Sequence, residues 1–190
     1  MQTNSISAKT VSNSAIKDVS LIIGASLFIA LMAQITIPLP FTPVPITMQT
    51  FAVVLVGAVL GSKRGALAVV TYLAEGFAGL PVFLAGTSGI VKMAGPTAGY
   101  LIGFVFAAAF AGYMAEKGWT KTMLKTVITF FVSSKIILIF GTAFLCRFMT
   151  LDKAITVGFM PFMLGDLFKV SFATALLPLI TKFAKKPHAN

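Results

Sequence analysis

Apolar residues gather into six runs separated by polar, basic or proline- and glycine-rich stretches. The runs extend from about Val19 to Thr36, Ile46 to Leu60, Ala66 to Leu80, Pro96 to Ala115, Met123 to Phe148 and Val157 to Phe183. A helix needs about 20 residues to cross a bilayer, so the second and third runs are short and the others ample. The pattern predicts an all-α membrane protein with six transmembrane helices in one domain over residues 1–190. Pro96 suits the first turn of the fourth helix. Pro161 and Pro178, near the ends of the sixth, are placed to cap or bend it. Residues 1–18 read as a polar, Ser/Thr/Asn-rich N-terminal arm without a signal-peptide cleavage pattern, and 182–190 as a basic tail.

Composition agrees: 57% of residues are hydrophobic, mean hydropathy is +0.96, and charged residues make up only 11%, against about 25% in a globular average. The net charge of +10 would suggest nucleic acid in a soluble chain. Here the bases flank the apolar runs, so they set orientation instead. Lys9, Lys17, Lys63, Arg64, Lys117, Lys121, Lys125, Lys182, Lys185 and Lys186 fall on one side of a six-span bundle, and Lys92, Arg147 and Lys153 on the other. The positive-inside bias then puts both termini in the cytoplasm, and no nucleic-acid partner is expected. Cys146 and His188 are the only residues of their kinds. An internal disulfide, a thiolate or His/Cys metal site and a Ser-His triad are therefore not expected, and neither is a catalytic or cofactor site. The stretch from Gly57 to Arg64 loosely resembles a phosphate loop but has the wrong glycine–lysine spacing. ATP, if it energises this protein, acts through another subunit.

The chemistry concentrates in Phe162–Lys169. Asp166 and Lys169 are three residues apart, on one face of a helix. Charges in a bilayer persist only with a partner and a protein or cavity environment. The two are expected to pair on the floor of a polar site, with Asp166 about 9 residues, or roughly 14 Å, below the start of the sixth run. Pro38, Pro40, Pro43 and Pro45 make the loop between the first two helices stiff, extended and apolar, a form suited to a lid. The broken stretch 79–95 is too irregular to span, and Gly86, Ser88 and Gly89 are candidates to bring backbone amides to a ligand. Gly95, Gly99, Gly103, Ala107 and Ala111 form a small-residue stripe for close helix packing, with Tyr100 beside it offering a ring and a hydroxyl. Ser26 and Ala30 share a face of the first helix suited to a partner helix or to internal packing. Lys135 either snorkels or pairs with Glu75, and Glu75 is open to a proton-coupling role or a lysine partner.

Four stretches in order then resemble the BioY family, the biotin-specific S components of energy-coupling factor (ECF) transporters. They are Ile37-Pro-Leu-Pro with Pro43-Val-Pro-Ile-Thr47 and Gln49; Gly79-Leu-Pro-Val-Phe83; Gly95-Pro-Thr-Ala-Gly-Tyr-Leu-Ile-Gly-Phe104; and Pro161-Phe-Met-Leu-Gly-Asp166 with Lys169. The resemblance implies an S-component-like six-helix bundle in a prokaryotic plasma membrane that binds biotin at its outer side. It also implies a transmembrane coupling subunit and two ATP-binding subunits as partners. Family members dock through an Ala-x-x-x-Ala pattern on the first helix, to which Ser26-x-x-x-Ala30 is the nearest match here. In biotin, the ureido N–H groups suit Asp166, the ureido carbonyl suits Lys169, and Lys92, Arg147 or Lys153 at the rim suits the carboxylate. The alternatives are an S component for another vitamin such as thiamin, an intramembrane enzyme, and a self-sufficient proton-coupled carrier using Glu75.

Overall fold

The computed structural model describes the backbone of residues 3–184 and the side chains of 15–182. Seven α-helices carry the fold among these residues: α1 (Thr3–Gln34), α2 (Gln49–Leu60), α3 (Ser62–Phe77), α4 (Ala98–Glu116), α5 (Met123–Leu145), α6 (Leu151–Gly158) and α7 (Met160–Ala184). A two-stranded antiparallel ribbon, β1 (Thr36–Ile37) and β2 (Ile46–Thr47), closes the proline stretch at its base. Short 3-10 turns over Leu84–Gly86 and Ile90–Ala94 punctuate the link from α3 to α4. Four segments are long and apolar enough to cross a membrane: Ala15–Gln34, Ala98–Glu116, Met123–Leu145 and Leu151–Lys182.

Three expectations change. The backbone of α1 is helical from Thr3, so the stretch expected as a polar arm continues the first helix. The second helix begins at Gln49 because Ile46 and Thr47 pair in the ribbon. The sixth run is not one helix: it breaks at Phe159 (φ −122°, ψ −55°), just ahead of Pro161, into α6 and α7. A proline disfavours helical backbone in the residue before it and is tolerated in a first helical turn, so the new helix starts beside it. Asp166 consequently lies in the second turn of α7. Lys185, Lys186, His188 and the side chain of Lys9 lie outside the described residues.

Burial follows the helical period. On α7, Phe162, Asp166, Val170, Ala173 and Leu177 face inward, while Leu164, Leu167, Phe168, Phe172 and Leu179 are exposed apolar residues on the outside. An apolar exterior of this kind suits contact with lipid. The α5 core face includes Thr126, Thr129 and Ser133, whose hydroxyls donate to carbonyls one turn back, at Thr122, Lys125 and Thr129. Those bonds satisfy hydroxyls turned toward the core.

Glycine sets how closely α2, α3, α4 and α5 approach. A Cβ on Gly57 would sit on the backbone of Ala108, and one on Gly112 on the backbone of Gly61 and Ser62. Gly99 and Gly103 of the expected stripe face the backbone of α5 at Phe140 and Ile137, and Ala107 and Ala111 are fully buried. At the same end as Gly112, the Glu116 carboxylate accepts from the N–H of Ser62 at 2.7 Å, and Arg64 pairs with Asp18 at 2.8 Å. This end of the bundle is closed.

The opposite end is open because α2 and α3 are short. Their 12 and 16 residues rise about 18 and 24 Å, short of the roughly 30 Å hydrocarbon thickness. The ribbon and proline loop before α2 and the broken stretch after α3 supply the remaining depth. Replacing Gly57 with alanine is expected to cost about 1–3 kcal/mol, because the obstructing atoms are backbone. Alanine at Gly24, which meets nothing within 4 Å, is the matched control. Thermal unfolding in detergent checks the pair: Gly57→Ala lowers Tm and Gly24→Ala does not.

Candidate functional site

A cavity of about 510 Å3 fills the open end, within the roughly 300–1,000 Å3 typical of small-molecule sites. Its walls come from six parts of the chain. The proline loop and β2 give Pro43, Val44, Pro45 and Thr47, and the first turn of α2 gives Gln49 and Thr50. The irregular stretch gives Phe83, Leu84, Thr87, Ser88, Val91, Lys92, Gly95, Pro96 and Thr97. Tyr100, Leu101 and Phe104 of α4 and Leu138 of α5 form an apolar side. Phe162, Asp166 and Lys169 of α7 close it.

The two α7 charges both line the cavity, but they do not bond to one another. Lys169 Nζ donates to Thr50 Oγ1 at 2.9 Å. Asp166, 1% exposed, accepts at Oδ2 from Lys135 Nζ at 3.1 Å. Lys135 reaches this carboxylate from α5 without lining the cavity. Its ammonium also lies 3.1 Å from Met163 Sδ and near the rings of Phe131 and Phe159. The expected Asp166–Lys169 pair is thus replaced by two separate bonds. Lys135 neither snorkels nor meets Glu75.

Three other polar contacts fix the walls. Tyr100 donates its hydroxyl proton to the Gly158 carbonyl at 2.6 Å, tying α4 to the end of α6 just before the break. Gln49, itself buried, donates through Nε2 to the Tyr72 hydroxyl at 2.6 Å and accepts at Oε1 from Thr47 Oγ1 at 3.2 Å. Gln34 of α1 donates to the Phe83 carbonyl and accepts from the N–H of Gly86, holding the irregular stretch against the bundle.

Several sequence candidates take other places. Gly86 and Gly89 do not line the cavity: the N–H of Gly86 is bonded to Gln34 and that of Gly89 to the Gly76 carbonyl at 2.8 Å. Their φ values of 71° and 95° are left-handed backbone, which explains glycine there without a ligand. Ser88 does line the cavity, as do Pro43 and Pro45, whereas Pro38 and Pro40 do not. Of the rim cations Lys92 faces in, while Arg147 is exposed and lies over the Phe144 ring. Ser26 and Ala30 are buried within the chain, so they form no free docking face. Ser26 Oγ donates to Glu75 Oε1 at 2.9 Å, and Glu75 also lies outside the cavity lining. Thr50 carried no signal in the sequence, since isolated threonines are common in such helices, and Lys135 stood out as a charge in an apolar run whose partner, 31 residues away, was not legible.

A membrane-compatible helical bundle, with a polar-floored apolar cavity at one end and no group of three or more His, Cys, Asp or Glu placed to hold a metal among the described residues, has the form of a small-molecule-binding membrane protein. The chain belongs to the BioY family, whose family model matches residues 2–186. It is similar to the biotin transporter BioY of Thermotoga maritima, 42% identical over 166 residues covering 85% of this chain and 95% of that one. The probable biotin transporter BioY of Pyrococcus horikoshii is 37% identical over 163 residues, covering 84% and 93% of the two chains. The fold is similar to a crystal structure of the S-component for biotin from an ECF-type ABC transporter, with a TM-score of 0.82 at 24% identity over 90% of this chain and 93% of that one. Membership places the chain among transport proteins and not among enzymes.

Removing the Tyr100 hydroxyl tests how the site is braced. Tyr100→Phe keeps the ring but leaves the buried Gly158 carbonyl without its partner, at a cost of about 1–3 kcal/mol. A lower Tm for Tyr100→Phe in the absence of any ligand is the expected result.

Proposed function

We propose that this chain is the biotin-binding S component of an ECF transporter, acting with a transmembrane coupling subunit and two ATP-binding subunits. The observation that carries the reading is the cavity itself. It puts an acceptor carboxylate and a donor ammonium together in one lining, with apolar walls around them and a third charge, Lys92, on the irregular segment. Biotin carries matching groups: ureido N–H donors and a carbonyl at one end, an apolar thioether ring and chain, and a carboxylate at the other. In the proposed pose Asp166 accepts from a ureido N–H, Lys169 donates to the ureido carbonyl, and Lys92 meets the carboxylate. The relatives named as biotin transporters support the same ligand.

In this reading the chain crosses a prokaryotic plasma membrane six times, α2 and α3 being completed by the irregular segments that follow or precede them. The positive-inside bias of the basic residues at the closed end supports a cytoplasmic position for that end and for both termini. The cavity then opens outward and the loop 38–45 covers it. Binding in a water-poor pocket makes each charged hydrogen bond selective, because an analogue lacking the group leaves a buried partner unmet. A coupling subunit that docks on α1 meets its exposed Ile23, Leu27 and Leu31.

Calorimetry of the purified protein in detergent tests the proposal. Trp119 follows α4 at the closed end, 15 residues or about 22 Å of helix rise beyond Phe104 of the cavity lining, so its fluorescence is a poor reporter. One biotin per chain is expected. Alanine at Asp166 or Lys169 should weaken binding at least ~10-fold, the lower end for a charged hydrogen bond. Folded variants that stay within ~2-fold of the parent sink these roles. Absence of binding by a folded parent chain sinks biotin as the ligand. Bound biotin should also slow cleavage of residues 37–47 by a broad-specificity protease. Unchanged cleavage at saturating biotin counts against the lid.

A further inference from the structure

Asp166 and Lys169 are one helical turn apart on α7 and carry opposite charges, yet Lys169 bonds to Thr50 instead. A third group accounts for this. Lys135 of α5 forms the one salt bridge found at Asp166 among the described residues, to Oδ2. It does so from behind the cavity wall: its side chain is 15% exposed, it does not line the cavity, and aromatic rings from α5 and the α6–α7 break flank its ammonium. An ammonium against aromatic faces is stabilised there without a second anion. Asp166 therefore has two ammonium groups near it, Lys135 behind the wall and Lys169 within the lining.

Resting on the reading of Asp166 and Lys169 as ligand-binding groups, we propose that Lys135 is the positioning residue of the site. By neutralising Asp166 from outside the cavity, it fixes that carboxylate through Oδ2 and leaves Oδ1 for the ligand. It also spares Lys169 from that task, so the Lys169 ammonium stays on Thr50, facing the cavity and available to an acceptor. Without Lys135 the nearest cation able to compensate the buried Asp166 is Lys169, since an unpaired buried charge is far costlier than a paired one. The two ligand groups would then consume each other.

Two measurements decide it. The first is a structure of Lys135→Met, which needs no ligand. Lys169 Nζ is expected to leave Thr50 Oγ1 and come within salt-bridge distance of Asp166; Lys169 remaining on Thr50 overturns the proposal. The second is biotin affinity, with ligand-free thermal unfolding to confirm that each variant is folded. Lys135→Met should weaken binding at least ~10-fold and Lys135→Arg, which keeps the charge, no more than ~3-fold. In an Asp166→Asn background, Lys135→Met should change affinity by less than ~3-fold, because its effect runs through the carboxylate. A further tenfold loss in that background, or parental affinity in Lys135→Met alone, overturns the proposal. The Asp166→Asn comparison also serves if Lys135→Met does not fold by itself, since the double variant leaves no unpaired buried carboxylate. If the parent chain binds no biotin, it is the functional reading that fails, and the ligand-free structure still decides the role of Lys135.

Discussion

A carboxylate inside an apolar bundle has to be neutralised, and much of the open end follows from how Asp166 meets that requirement. Its compensating cation comes from α5 and not from its own helix. That single ion pair ties α7 to α5 at the depth of the cavity floor. It also leaves the Lys169 ammonium on Thr50, where a local Asp–Lys pair would have taken it up. The coulombic gain of such a pair is largely offset by desolvation. Its significance lies less in stability than in which groups it leaves uncommitted.

The two ends of the molecule differ for a steric reason. At the closed end glycines let backbones touch, with Gly57 on Ala108 and Gly112 on the α2–α3 junction. At the open end α2 has not yet begun and α3 has already ended. Irregular backbone replaces them, and its polar groups must be satisfied inside the fold. Gln34 serves this need by bonding both Phe83 and Gly86. The cavity lies at the end where α2 falls about two turns, and α3 about one, short of the hydrocarbon thickness.

The break at Phe159 adds a second device. It separates a short α6 at the rim from the long α7, and the Tyr100 hydroxyl caps the Gly158 carbonyl freed there. One tyrosine thus links the small-residue helix α4, the break and the cavity wall. Its ring contributes to the lining while its hydroxyl serves the backbone, the usual division of labour for a buried tyrosine.

The apolar runs and the basic residues between them were enough to read a mostly helical membrane protein from sequence, four short motifs pointed to its family, and Asp166 and Lys169 stood out as charges in an apolar run. Periodicity and composition carry such information because they are local and set by the solvent each residue must face. Partner choice was not legible. Lys135 meets Asp166 instead of Glu75, Ser26 meets Glu75 instead of a docking partner, and Gly86 and Gly89 serve the turn instead of a ligand. The interruption of the sixth run at Phe159 was signalled only by Pro161, which fits a cap at a helix start as well as a break. Those outcomes depend on which helix faces which and at what height. Contacts between residues 31, 49 or 52 positions apart exist only once the bundle has closed, so the tertiary structure alone decided them.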